Sequence, residues 1–193
     1  MDLFTDVDDY AFCRLFANSK VSNVFITSYC DYIGRGAFQE TFYISRVGNV
    51  YIDVENSKLG ENCFSSSFYL CRNLTSVNLG KVNITTESEH TFDGTFMECY
   101  NLHDCNVEFI LPYSEFYGGY YIPSYCFSNT FVNTSLATTN VKDIFKSTPP
   151  NVVGMYGMYS MFYNANITET PLIPNLKEVG EYGMFRCFYN TYI

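Results

Sequence analysis

Pairs of large apolar residues, four positions apart, recur along the whole chain. The second member of each pair is Phe16, Phe42, Phe68, Phe96, Phe131, Phe162 or Phe188, and the first is Phe12, Phe38, Phe64, Phe92, Phe127, Met158 or Met184. Successive second members are 26 to 35 residues apart, and such a period is typical of repeat architectures. Residues at i and i+4 share one face of a helical turn, so the spacing predicts that each pair points inward from such a turn.

Small residues flank every pair. One stands immediately before the first member, at Ala11, Ala37, Cys63, Thr91, Cys126, Gly157 and Gly183, and another stands three positions after the second, at Ser19, Ser45, Cys71, Cys99, Thr134, Ala165 and Thr191. Small side chains beside large rings allow successive copies to stack closely. Since one copy cannot bury its own apolar face, the copies are expected to form a solenoid.

A short β-prone segment follows each pair, such as VGNVYI from Val47 and LTSVNL from Leu74. Its first, fourth and sixth residues are apolar and are expected to point inward from a strand. The predicted fold is an α/β repeat solenoid. It has about seven units of 26–35 residues, a parallel sheet on one face and short turns or 3₁₀ segments on the other. A β-helix with two strands per unit is the alternative. We expect one domain over residues 1–193, either whole or as a fragment of a longer array.

The segment LGENCFSSSFYLCRNLTSVNL, from Leu59 to Leu79, shows the unit most clearly. It resembles the BspA-type leucine-rich repeats of bacterial surface antigens, whose units look like IG..AF..C..L..V.L, and the resemblance extends over essentially the whole chain. The resemblance implies a non-enzymatic protein-protein interaction or adhesion module at a bacterial cell surface, with a host protein as its partner.

Composition and charge narrow the possible partners. The chain has 47% hydrophobic residues, 16% charged residues and a formal net charge of -9. No basic stripe is evident of the kind that binding to phosphates requires, so we expect no nucleic-acid partner. No apolar run reaches the length of a membrane span. The start, MDLFTDVDDYAF, is acidic and does not resemble a secretory signal, so the cytoplasm and a virion are alternatives to the cell surface.

The cysteines and histidines suggest no catalytic or metal site. Most of the eight cysteines occupy small or inward repeat positions and are expected to be reduced and buried, although Cys71 and Cys99 on neighbouring units could meet the geometry of a disulfide. Cys105 is predicted to point inward, away from His103, which leaves no four-ligand set. The acidic run from Asp6 to Asp9 lacks the glycine and distal glutamate of a calcium loop. We therefore expect no enzyme activity and no cofactor.

Two surfaces are candidates for binding a partner protein. The first is the outward face of the predicted sheet, where either a ligand surface or a solvated sheet with stacked amides is expected; its residues are Asn23, Phe25, Asn49, Tyr51, Asn78, Asp104, Asn106 and Asn140. The second is an insertion in the fourth unit. This is either a recognition loop or a loop that covers the sheet, and its aromatic residues are Tyr113, Phe116, Tyr117, Tyr120 and Tyr121.

The last repeat is the third feature that points to a partner. It reads GMFRCFYNTYI and ends at Ile193, which leaves an apolar unit at the C-terminal end of the solenoid. Solenoids need polar terminal caps, so we expect this end to associate with another copy or to continue into a longer array. Self-association favours a second function, that of a structural or decorating component of a larger assembly such as a bacteriophage virion.

Overall fold

The protein is described here from a computed structural model, which covers residues 6–27, 30–55 and 57–193. The described residues form short strands joined by long turn segments. In chain order the elements are β1 (Asp6–Val7), β2 (Asn23–Thr27), β3 (Tyr32–Ile33), β4 (Asn49–Asp53), β5 (Lys58–Leu59), β6 (Ser76–Asn83), β7 (Asp104–Ile110), β8 (Tyr113–Ser114), β9 (Gly119–Ile122), α1 (Thr138–Lys142), β10 (Val152–Val153) and β11 (Glu178–Val179).

The strands form two rows along the solenoid, and pairing within each row is parallel. The first row contains β2, β4 and the starts of β6 and β7. The second contains β1, β3, β5 and the ends of β6 and β7. A separate sheet joins β9, β10 and β11 in parallel, with β8 antiparallel to β9. A register shift between Asn78 and Gly80 lets β6 belong to both rows of the first sheet. The predicted solenoid with a parallel sheet is confirmed, and its two strands per turn also fit the β-helix alternative.

The expectation of a helical turn around each apolar pair is wrong, and so is the α in the α/β label. Each pair lies in a turn segment in which every fourth residue has a positive φ, for example Tyr10, Arg14 and Asn18 at 56° to 58°. Odd-numbered amides of this first segment bond to the carbonyl three residues earlier, while even-numbered amides bond to the next unit, as from Phe12 to Ala37 at 2.8 Å. The period of four therefore comes from the left-handed residues, which reset the chain direction, and not from a helix.

The apolar pairs form two continuous stacks of side chains through the core. The second members stack from Phe16 to Phe188 with ring centroids 5.0–5.6 Å apart. The first members stack from Phe12 to Phe127, with centroids 5.0–5.9 Å apart. Offset stacking at this separation is favourable for aromatic rings. All seven predicted copies of the turn segment are present, and the six connections between them make about six turns of solenoid.

The strand predictions hold for the first four units and fail at the fifth. Val47, Val50 and Ile52 are all buried, as are their counterparts in the next unit. Where the fifth strand of the first row was expected, α1 stands instead. Threonine and asparagine are weak helix formers, so packing against β7 rather than intrinsic preference accounts for this single turn of helix. The first row consequently ends at β7.

Glycine at position 60 allows neighbouring units to approach closely. A methyl group there would lie 2.8 Å from the amide nitrogen of Arg35 and 2.9 Å from the carbonyl carbon of Gly34. The two units cannot move apart to relieve this contact without breaking the hydrogen bond from the Gly60 amide to the Ile33 carbonyl, at 2.9 Å. We expect Gly60→Ala to lower the free energy of unfolding by about 1–3 kcal/mol, measured by urea denaturation.

The control is Gly48→Ala, because a methyl group at position 48 would meet its nearest atom, the Ser22 carbonyl oxygen, at 3.4 Å. This substitution should leave stability unchanged or slightly raise it. Equal effects at the two positions would contradict the close approach of units at Gly60.

Candidate functional site

The outward face of the first row carries the predicted sheet residues in aligned columns. Asn23, Asn49, Ser76 and Asp104 form one column. Phe25, Tyr51, Asn78 and Asn106 form the other. The predicted register of these residues is therefore correct through β7. Phe25 is 77% exposed on this face.

Most amide groups on this face are already engaged by their neighbours. The Asn49 side chain donates to Asn23 at 3.0 Å and accepts from the Ser76 hydroxyl at 2.7 Å. The Asn106 amide donates in the same way to Asn78, at 2.9 Å. These bonds are those of a stacked amide ladder, the second of the two interpretations that the sequence allowed. They reduce the number of free polar atoms available to a partner.

Asn140 does not belong to this face, and its assignment to the sheet surface is corrected. It lies in α1, and its side-chain oxygen accepts a hydrogen bond from the Cys105 amide at 2.9 Å. The side chain thus satisfies a donor at the edge of β7, where no further strand of the first row follows.

The insertion of the fourth unit forms an antiparallel hairpin. Tyr113 pairs with Tyr120 and Ser114 with Gly119, so β8 and β9 are joined by residues 115–118. Phe116 at the tip is 89% exposed, and Tyr113 is 60% exposed. Tyr120 packs against the core and Tyr121 is half-buried. The hairpin therefore presents three of its five predicted aromatic residues to solvent and anchors itself with the other two.

The hairpin is held in place by Asn151. Its side-chain oxygen accepts a hydrogen bond from the Tyr120 backbone amide at 3.0 Å. Its backbone amide donates to the Tyr120 carbonyl at 2.8 Å. Since β9 pairs with β10 in the separate sheet, the hairpin does not belong to the first row, which carries the amide columns. The structure therefore gives two separate candidate surfaces, and the alternative of a loop that covers the amide columns is not supported.

Seven of the eight cysteines are buried, in agreement with the prediction for most of them, and Cys13 is partly exposed. All eight are free, and those at positions 71 and 99 donate to the carbonyls of Phe42 and Phe68, both at 2.9 Å, rather than forming a disulfide. Burial raises the pKa of Cys71 to about 11 and that of Cys99 well above its ordinary value. A raised pKa keeps these thiols protonated and unreactive at neutral pH.

The remaining polar candidates are placed as structural residues. The His103 ring lies 3.0 Å from the Asn101 carbonyl, and His90 stacks on Tyr125 with centroids 4.5 Å apart. Asp9 accepts a bond from the Arg35 amide at 2.7 Å. No group of three or more potential metal ligands occurs within the described ranges, and the first five residues of the acidic start lie outside those ranges.

Sequence reasoning missed the stacks of tyrosine on the outside of the turn segments. Tyr125, Tyr156 and Tyr182 stack with centroids 4.9 and 5.1 Å apart. Tyr163 and Tyr189 stack at 5.2 Å. Their signal was a tyrosine that recurs in four of the seven copies two positions before the first member of the pair, and in four copies one position after the second. Their ring planes face neighbouring units, so mainly ring edges and hydroxyl groups face outward.

The repeated turn segments and parallel strands agree with the comparison to protein families. The model of the BspA type leucine-rich repeat region matches residues 5–148 in six copies. The chain belongs to the BspA-type leucine-rich repeat family. The structure continues the same turn segment beyond the matched residues, through Phe162 and Phe188. Neither a curated protein nor a solved structure matches the chain.

The family is one of repeat proteins that serve protein interaction, generally as binding modules rather than enzymes. Among the described elements, no helix has the length and apolar character needed to cross a bilayer.

Proposed function

We propose that this BspA-type leucine-rich repeat solenoid is a non-enzymatic adhesion module that binds a host protein through its aromatic hairpin. The observation that carries the proposal is Phe116, a large apolar side chain held almost fully in solvent at the tip of a braced hairpin. Aromatic anchors of this kind contribute most of the energy in many protein interfaces. Tyr113 and Tyr117 extend the same contact surface, and their two-torsion side chains lose little entropy on binding.

The hairpin is rigid enough to present these residues in one arrangement. In addition to the Asn151 bonds, the Lys177 ammonium group donates to the Gly118 carbonyl at 3.2 Å, which attaches the hairpin tip to a later unit. The rings of Phe116 and Tyr117 pack edge to face with centroids 5.0 Å apart. A prearranged binding loop loses less conformational freedom when it binds than a flexible one does.

The sheet face is a second contact surface in this proposal. Its contribution rests on Phe25 and Tyr51, since the amides of Asn23, Asn49, Asn78 and Asn106 are largely engaged in ladders. Asp104 is exposed at the start of β7 and completes the surface.

The test couples the purified chain to polystyrene beads and counts the beads that remain on cultured epithelial cells after washing. We expect Phe116→Ser combined with Tyr113→Ser to reduce the retained beads about tenfold, because loss of a buried aromatic anchor costs 2 kcal/mol or more in an interface. The matched control is Tyr100→Ser, at a side chain 46% exposed elsewhere on the chain. Retention equal to that of albumin-coated beads would refute adhesion to these cells.

The alternative function, a structural component of a larger assembly, rests on hydrogen-bonding groups of the first and last turn segments, which fit either another copy or further repeats of the same chain. Even-numbered amides in the last turn segment, from Tyr182 to Asn190, have no acceptor among the described residues, although their counterparts in earlier units bond to the following unit. In the first turn segment, odd-numbered carbonyls from Asp9 to Ala17 likewise have no donor within the described chain. The donors of one end match the acceptors of the other, as head-to-tail association requires.

Light scattering after size-exclusion chromatography separates the two functions. A mass that stays at 22.2 kDa across concentrations, with and without reductant, supports the adhesion module. A mass that grows with concentration supports the assembly component, because head-to-tail contacts do not close.

A further inference from the structure

Two apolar residues, the exposed Ile44 and the half-buried Leu70, occupy the last left-handed position of their turn segments, where other copies have a polar residue. Four of the seven copies have asparagine there, the residue that best tolerates positive φ after glycine. The second and third copies instead have Ile44 and Leu70, with φ of 57° and 58°. Ile44 is the only β-branched residue among the positive-φ positions of the described residues, and it is 42% exposed.

This arrangement is unfavourable for the folded chain alone. A β-branched side chain in the left-handed region is strained, because its Cβ substituents crowd the backbone. Because the Ile44 side chain is 42% exposed, its burial offsets little of this strain energy. Backbone strain that packing does not offset is typical of functional positions. The surface around Ile44 and Leu70 is therefore a candidate binding site.

Basic residues flank this apolar pair. Lys20, Arg46 and Arg72 stand at equivalent positions on three successive units, two residues after the left-handed position, and all three are exposed. Within the described part of the chain, none of them has a carboxylate within ion-pair distance, whereas Arg14, Arg35, Lys142 and Lys146 are paired. The stripe is thus an unpaired cluster of cations on a chain of net charge -9.

The apolar and basic side chains line one shallow groove of about 320 Å³. Its walls are Ile44, Ser45, Arg46, Leu70, Arg72 and Asn73. In the following unit, Glu98 takes the left-handed position and is held by the Tyr100 hydroxyl and by Asn133, whose amide donates to it at 2.6 Å. Glu98 does not line the groove, whose two cations are Arg46 and Arg72.

We infer that this groove binds a segment of a partner protein in which aliphatic side chains alternate with carboxylates. Ile44 and Leu70 would cover the aliphatic side chains, and the two guanidinium groups match carboxylates in charge and in bidentate geometry. A nucleic acid fits less well, because its phosphates would find only three cations on a strongly acidic protein. This site is separate from the hairpin and does not depend on the adhesion proposal.

The test uses two labelled peptide libraries and measures binding by fluorescence anisotropy. In one library the four central positions are drawn from Leu, Ile, Asp and Glu, and in the other Asn and Gln replace the acids. We expect the acidic library to bind at least tenfold more tightly. Arg46→Gln with Arg72→Gln should abolish that preference. The charge control, Lys142→Gln with Lys146→Gln, should retain it.

The apolar half of the site is tested by Ile44→Asn with Leu70→Asn, which installs the asparagine found in other copies. We expect peptide affinity to fall at least fivefold while the melting temperature stays equal or rises, because backbone strain is relieved. The binding of Phe116→Ser should equal that of the unaltered chain.

Three results would overturn the inference. One is equal binding of the acidic and amide libraries. Another is a retained preference for the acidic library in Arg46→Gln with Arg72→Gln. Both arginines are exposed, so the variant should fold. Displacement of the acidic peptides by a single-stranded oligonucleotide at equal concentration would likewise overturn it, in favour of a general polyanion site.

Discussion

Phe68→Ala is expected to unfold the chain at ordinary temperature or leave it on the edge of unfolding. The Phe68 ring is fully buried at the middle of the longer aromatic stack, with centroids 5.0 Å from Phe42 and 5.2 Å from Phe96. Truncation of a buried phenylalanine costs about 3–5 kcal/mol, which is a large part of the stability of a typical domain. Circular dichroism during thermal and urea denaturation measures the loss.

The aromatic control for this variant is Phe116→Ala. That ring is 89% exposed, so its removal should leave the melting temperature within error of the unaltered chain. A melting temperature unchanged by Phe68→Ala would contradict the register of the repeat itself, since every inward assignment follows from the same spacing.

The second large effect is a steep loss of stability above pH 9. Burial raises the pKa of six buried thiols above the ordinary value of 9.0. The pKa of Cys71 reaches about 11 and that of Cys187 about 12. The other four thiols are Cys63, Cys99, Cys105 and Cys126. Below pH 9 these thiols are protonated in the folded and unfolded chain alike, so they add no pH dependence. Above pH 9 only the unfolded chain loses protons, and the free energy of unfolding falls until the pH passes the raised folded values.

The expected size is about 1 kcal/mol for each buried thiol at pH 10, and several kcal/mol in total. Urea midpoints measured under reducing conditions from pH 7 to 10.5 should be flat up to about pH 9 and then fall steeply. Cys63→Ala with Cys126→Ala should make the fall shallower, because two of the buried thiols are removed. Alanine suits both sites, since it holds the same position in the first two copies. The double variant also separates thiols from tyrosines, whose ionisation it leaves intact. A midpoint independent of pH up to 10.5 would contradict the burial of the thiols.

The repeat allowed most of the architecture to be predicted, because each inward position is constrained seven times over. Phe42, Cys71 and Leu74 occupy the buried positions that their spacing predicts. The spacing could not reveal the backbone of the turn segment, since a four-residue period is shared by a helix and by a chain that enters the left-handed region every fourth residue. Residues such as Glu40 and Arg186 give no local sign of positive φ, because the constraint comes from the neighbouring units.

The candidate surfaces were predictable only in part. The columns of Asn49 and Tyr51 follow from strand alternation, and the insertion follows from the extra residues of the fourth unit, although its antiparallel hairpin was not predicted. The loss of the fifth strand could not be predicted, since Asn140 fits the repeat in sequence and differs only in bonding to the Cys105 amide. The groove at Ile44 could not be predicted, because only the φ angles show that an isoleucine holds a left-handed position there.

The left-handed residues also determine how this chain reaches its folded state. The turn segments contain nineteen non-glycine residues of positive φ, and each such residue is disfavoured by roughly 1–2 kcal/mol in an isolated chain, with asparagine at the low end. A single unit therefore has no stable turn segment of its own, and the unfavourable angles must be adopted before stacking compensates for them. The barrier to folding lies at the assembly of the first few units, and the same barrier slows the loss of units once they are stacked.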